Sequence, residues 1–308
     1  MDESLVRLLL SYELQPFFII VILVFGSLYT VGWVRLRRRS TSKSFVPIWK
    51  LIAYLFALLT LGLALMSFID ILGASLFYFH MIQHLMLTMI AGPLIMLVDP
   101  IPIILWGFPD SWGIRKSVIR GFSKAIHRNS PYRKPLKMIT SPGVSYVLML
   151  ALLWGWHDPN LYNLALRSSF WHDFEHLSFF YSSIIYWYHA TGAGPRIHPR
   201  MSRSRRILYL FGGIPSTFLP GVVISFSTTI IYTYYLTAPP AIEPFYMPPI
   251  NDQILGGIIM WVPGSMMFFI GALVLIGRWL QEQERSSRRK KEKWMRENNP
   301  KPSLPDAV

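Results

Sequence analysis

Residues 80–98 read HMIQHLMLTMIAGPLIMLV, a run with no charged side chain apart from what its two histidines can carry. As a helix this run rises about 1.5 Å per residue and approaches the ~30 Å hydrocarbon thickness of a bilayer. A barrel strand needs only about 9–11 residues to cross. Only helices and closed barrels can cross, because every backbone N–H and C=O in lipid needs an internal partner. The run therefore predicts a transmembrane helix, and the rest of the chain repeats the pattern.

Apolar stretches of similar length predict further spans at 14–34, 48–69, 141–157, 172–190, 207–232 and 253–280, giving about seven with 80–98. The segment Ile101–Phe108 is apolar but too short to span, and with Pro100, Pro102 and Pro109 around it a surface-lying position is expected. Of the 308 residues, 52% are hydrophobic and only 15% are charged, well below the ~25% of soluble domains. The fold class is thus all-α, a polytopic membrane helix bundle. Residues 1–280 form one seven-helix transmembrane domain, and 281–308 a basic cytoplasmic tail, partly disordered.

The net charge of +14 does not point to nucleic acid, because the cations sit in blocks beside apolar spans. The loops after the first, third and fifth spans, with the tail from Arg278 to Lys301, hold 28 of the 30 Lys and Arg, leaving Arg7 and Arg167 on the other side. By the positive-inside rule those loops and the tail are cytoplasmic, which puts the N-terminus outside. The same blocks suit contact with anionic lipid. The acidic start (Asp2, Glu3, Glu13) and basic C-terminal flank of the first span reverse the charge order of a cleaved signal peptide. With no cysteine, disulfides and thiolate metal sites are excluded.

The sixth span carries Gly212, Gly213, Pro215, Pro220 and Gly221. Proline frees a carbonyl and kinks a helix. A packing kink is the preferred reading, with a hinge or polar path as the alternative.

Five of the eight histidines, His80, His84, His157, His172 and His176, map to the outer end of the bundle. His80/His84 and His172/His176 are each spaced i, i+4, which sets two imidazoles on one helix face about 6 Å apart along the axis. Two such pairs at one depth can supply three or four nitrogen ligands to one metal or to two adjacent ones, with His157 as a further candidate. Imidazole suits Cu, Zn, Fe and Ni. Polar residues within a membrane mark function by default. Asp70, Gln83, Glu175 and Asp252 are candidates for orienting the imidazoles, though a helix cap is an equal reading for Asp252; Asp158 and Glu243 suit caps or solvated loops better. Met81, Met86, Met89, Met260, Met266 and Met267 are soft enough for Cu(I), but gap-filling core is preferred for them. His172-Asp-Phe-Glu175-His176 also matches H-x-x-E-H, in which two histidines bind zinc and the glutamate is a base. That keeps a metalloenzyme open beside a non-enzymatic reading. Bis-histidine b-type haem is open too, but leaves one histidine of each pair unexplained.

These segments resemble the CtaG family of cytochrome c oxidase assembly factors, the type associated with caa-type oxidases of Gram-positive bacteria. The resemblance rests on His80-Met-Ile-Gln-His84 with Gly92-Pro93-Leu94, on Trp156-His157-Asp-Pro159-Asn-Leu161-Tyr162 with Ala165-Leu166, on His172-Asp-Phe-Glu175-His176, and on Asp252-Gln253 with Gly257 and Met260-Trp261. It covers roughly residues 15–280. Ala91 stands where a second proline is expected beside Pro93. The resemblance implies a multi-pass bacterial plasma-membrane protein that assembles cytochrome c oxidase, with oxidase subunits as partners. The histidines add the expectation of a bound metal, with copper favoured over zinc or haem. A docking scaffold that delivers no metal is the competing expectation. Cysteine-based copper chaperones of the same name have no counterpart here.

Overall fold

The computed structural model describes residues 15–39, 46–195, 197–239 and 245–298. Arg7, Lys43, Arg196, Glu243, Lys301 and the disorder expected after 298 lie outside the described residues. Those described are helices and connecting turns, with no strand among them.

The chain runs α1 (Pro16–Arg39), α2 (Ile48–Met66) and the short α3 (Phe68–Gly73). Then come α4 (Phe77–Leu85), a π-helical turn (Met86–Ala91) and α5 (Gly92–Val98), which form one broken rod. Next are α6 (Pro100–Gly107), α7 (Ile114–Ile126), α8 (Arg133–Ile139), α9 (Pro142–Trp156) and α10 (Pro159–Arg167). The chain closes with α11 (Ser169–Thr191), α12 (Arg203–Ser225), a 3-10 turn (Thr233–Leu236) and α13 (Pro249–Asn298).

Among the described residues, five helical stretches are long and apolar enough to cross a membrane: α1, α2, the α4–α5 rod, α12 and α13. A sixth is reached if α8 and α9, bent by 51° at their junction, count as one broken span. The expected fourth span falls short because α9 alone has 15 residues. The expected fifth, α11, has 23 residues, but His172, Asp173, Glu175, His176 and several serines dilute its hydropathy. Exposed apolar side chains such as Ile20, Leu23, Ile52, Leu59, Leu208 and Val223 coat the outer faces, as lipid contact requires.

Four elements depart from the sequence expectation. The second helix stops at Met66, where Ser67 turns extended and its Oγ caps the Ile69 N–H of α3 at 3.2 Å. The Ile101–Phe108 segment does not lie on the surface. It folds back as α6 after a left-handed turn at Asp99 and packs along α1, with Ile103 buried. Gly32 and Gly107 make that approach possible: a Cβ on Gly107 would run into the Leu28 carbonyl, and one on Gly32 into the Ile103 carbonyl. The helix of the expected sixth span, α12, ends at Ser225 rather than running to Tyr232. Finally, α13 continues unbroken through position 280 to Asn298. At about 1.5 Å per residue this 50-residue helix is about 75 Å long, more than twice a hydrocarbon core, so its charged C-terminal part extends beyond one.

The backbone breaks are supported by neighbouring side chains. Pro93 has no N–H for the Thr88 carbonyl five residues earlier, and Ser183 Oγ from α11 donates to that carbonyl at 2.6 Å. A Cβ on Gly92 would meet the same Ser183 hydroxyl. Pro220 likewise leaves the Ser216 carbonyl free, and the Trp154 indole of α9 donates to it at 3.2 Å. The proline-bearing α12 packs on α13, with Gly221 against Trp261 and Gly257 against Ser225.

Candidate metal centre

The start of α4 is fixed from the far end of the chain. Asp252, in the first turn of α13, accepts from the Phe77 N–H at 2.7 Å and the Tyr78 N–H at 2.9 Å. These N–H groups have no partner within the helix, and a carboxylate there also complements the helix dipole. Asp252 is therefore a cap, and it sets the axial position of His80, Gln83 and His84 on one face of α4. Across from them α11 presents His172, Glu175 and His176.

His80, His84, Glu175 and His176 converge. Each offers a ligand atom, and all four atoms lie within 4.8 Å of one another. The Glu175 carboxylate sits between the α4 histidines, with Oε2 3.6 Å from His80 Nε2 and Oε1 3.6 Å from His84 Nε2. The imidazoles pack at ring-centroid distances of 4.2 Å (His80–His84), 5.4 Å (His84–His176) and 5.7 Å (His80–His176). All four residues are buried, Glu175 and His80 at 0% exposure.

Their polar atoms have no hydrogen-bond partner at either nitrogen of His80 or His84, at His176 Nε2 or at either oxygen of Glu175. A buried polar atom left unpaired costs about 1–3 kcal/mol, and native interiors rarely tolerate several together. Three imidazoles and one carboxylate around a common point form a donor set for a divalent transition metal. Tetrahedral bonds of about 2.0–2.1 Å would place ligand atoms ~3.4 Å apart, so the set needs to contract by an ångström or so to close on an ion.

The other predicted residues are placed as follows. Asp70 of α3 forms a second, overlapping group with His172 and His176, again within 4.8 Å. Gln83 Nε2 donates to Asp70 Oδ1 at 2.6 Å and to the Ala64 carbonyl at 2.7 Å. His157 stands beside the quartet, its ring 5.8 Å from that of His84. Its Nδ1 donates to the Leu153 carbonyl at 2.6 Å, and its Nε2 lies 3.4 Å from the Met81 sulfur. Glu175, weighed from sequence as an orienting group or a base, has its carboxylate inside the ligand set.

A tyrosine roof was not anticipated. Tyr162 packs 5.2 Å from His80, and its hydroxyl pairs with that of Tyr235 at 2.9 Å. Tyr235 donates on to the Gly73 carbonyl at 3.1 Å, and Tyr232 to the His157 carbonyl at 3.0 Å. Tyr232 and Tyr235 come from the irregular stretch after α12, which Gln253 holds through the Ile231 N–H (2.7 Å) and the Thr229 carbonyl (3.0 Å). The early end of α12 frees this stretch to fold over the histidines. The one signal in the sequence is the Ser227-Thr228-Thr229 run, which suits turns better than a span interior.

The family model for the cytochrome c oxidase caa3 assembly factor matches residues 27–282. Among curated proteins the chain is similar to an uncharacterized protein of Mycobacterium bovis, 25% identical over 272 residues, 87% of this chain and 39% of the relative. A Mycobacterium leprae protein, also uncharacterized, is 22% identical over 265 residues, 85% of this chain and 38% of the relative. The chain therefore spans about two fifths of the length of the curated relatives it matches. No solved structure gives a significant match.

Proposed function

From the premise that the chain belongs to the family of cytochrome c oxidase caa3 assembly factors, we propose that it holds a transition metal at its outer end for maturation of the oxidase. The observation that carries the reading is the buried quartet of His80, His84, Glu175 and His176 with its unpartnered donor atoms. Copper is favoured because nitrogen and oxygen donors bind it most tightly among the divalent first-row ions. The imidazoles would hold the ion, Glu175 would neutralise part of its charge, and the tyrosine roof would limit water. The centre suits a bound ion better than haem, since the rings of His84 and Phe179 are already 4.6 Å apart and leave little room for a macrocycle.

The protein sits in the bacterial plasma membrane with seven spans, α9 and α11 included, with the N-terminus outside and the C-terminal part of α13 cytoplasmic. The basic loops face anionic lipid, and oxidase subunits dock at the outer end. Its role is not enzymatic: Glu175 serves as a ligand rather than a hydrolytic base. Elemental analysis and a visible spectrum of detergent-purified protein, beside a His80→Ala/His172→Ala variant, test the proposal. Copper in the wild type and its loss from the variant are expected. If neither sample takes up Cu(I), Cu(II) or Zn(II), the metal reading falls and the protein is a docking scaffold.

A further inference from the structure

The two donor groups at the outer end differ in access. His80, His84, Glu175 and His176 are buried, whereas Asp70 and His172 are only half-buried. His176 belongs to both groups. Along α11 the i, i+4 spacing puts His172 one turn before His176. Gln83, between the two inner histidines of α4, holds Asp70 through a 2.6 Å hydrogen bond, so a single helix carries inner ligands and orients an outer one.

We propose that these groups are two successive stations for one metal ion. The outer station of Asp70, His172 and His176 takes the ion up, and the inner station of His80, His84, Glu175 and His176 retains it. This rests on the metal-binding reading given above. A neutral imidazole has one lone pair to offer, so His176 serves one ion at a time and the transfer is a ligand exchange around it. Asp70 and His172 leave as His80, His84 and Glu175 arrive, with no change in oxidation state. Each station supplies one carboxylate, so the ion keeps an anionic ligand in both positions. That matters because an uncompensated charge in a low-dielectric interior is costly. The direction follows from burial, since the station with half-buried ligands is the one an ion from outside meets first.

The test is uptake of Cu(II), with Zn(II) as a second probe, by full-length protein in detergent. Loading is followed in time by stopped flow, and bound metal is counted after desalting. Wild type, Asp70→Asn, His172→Gln, His172→Ala and Glu175→Gln are compared. Asp70→Asn and His172→Gln keep size and polarity, and thermal unfolding checks that each variant folds. The expected result is that the outer-station variants still retain one ion but load about tenfold more slowly, while Glu175→Gln loads quickly and loses the ion on desalting. Loading of folded Asp70→Asn and His172→Gln at the wild-type rate would overturn the two-station scheme while leaving the metal centre intact. Complete loss of metal from these variants would also overturn it, in favour of one site sharing all the ligands. Failure of the wild type to bind either ion would remove both readings.

Discussion

Glu175→Gln separates a metal ligand from a structural carboxylate, because its effect should change with metal loading. Seven buried atoms of the quartet lack a hydrogen-bond partner: both ring nitrogens of His80 and of His84, His176 Nε2 and both carboxylate oxygens of Glu175. Each such atom costs about 1–3 kcal/mol, a sizeable share of the ~5–15 kcal/mol that holds a typical domain together. On the proposed reading, metal-free protein carries an unfavourable centre that a bound ion would relieve. Without metal, glutamine keeps the size of the side chain and supplies an N–H₂ donor to imidazoles that stand 3.6 Å from the carboxylate. The metal-free variant should be as stable as wild type, or more stable by up to about 2 kcal/mol. With metal, the variant lacks the anionic ligand and should lose at least ~2 kcal/mol of binding, about 30-fold in affinity. Thermal unfolding in detergent, with chelator and with excess Cu(II), reads both arms. Wild type should gain a large metal-dependent rise in midpoint, and the variant most of it should lose. An equal drop of the variant's midpoint in both conditions would refute the reasoning and make Glu175 a packing element.

Three further outcomes follow from the same geometry. His157→Gln should keep wild-type metal content by elemental analysis, because the His157 Nδ1 is engaged by the Leu153 carbonyl and the ring lies outside the quartet; His84→Gln should not. Asp252→Ala should lower stability by about 0.5–2 kcal/mol as a lost cap, and it should also weaken metal binding measured by titration, since the α4 start it fixes carries His80 and His84. Gly107→Ala should destabilise by ~1–3 kcal/mol or more, read as a lower unfolding midpoint, because its Cβ would meet the α1 backbone at Leu28.

The sequence by itself determined the helical membrane class and the histidine pairs that meet at the candidate site. Charge-free runs near 20 residues admit little else in a bilayer, and the i, i+4 spacing of His80/His84 and His172/His176 fixes two imidazoles per helix face whatever the neighbours are. The family resemblance was equally a property of local motifs, and the match over residues 27–282 agrees with it. What the sequence left undecided depends on partners far apart in the chain. Whether Glu175 binds, orients or acts as a base turns on how α11 is rotated against α4, and that rotation is set by packing such as Ser183 on the Thr88 carbonyl. His157 is only a further candidate in the sequence, and the structure engages its nitrogens with Leu153 and Met81. The apolar run at 101–108 fits a membrane surface as well as a buried groove, and only glycine on both α1 and α6 brings their backbones close enough to choose the groove. Local periodicity fixes which side chains share a face; which faces meet is settled by contacts between residues as remote as Phe77 and Asp252.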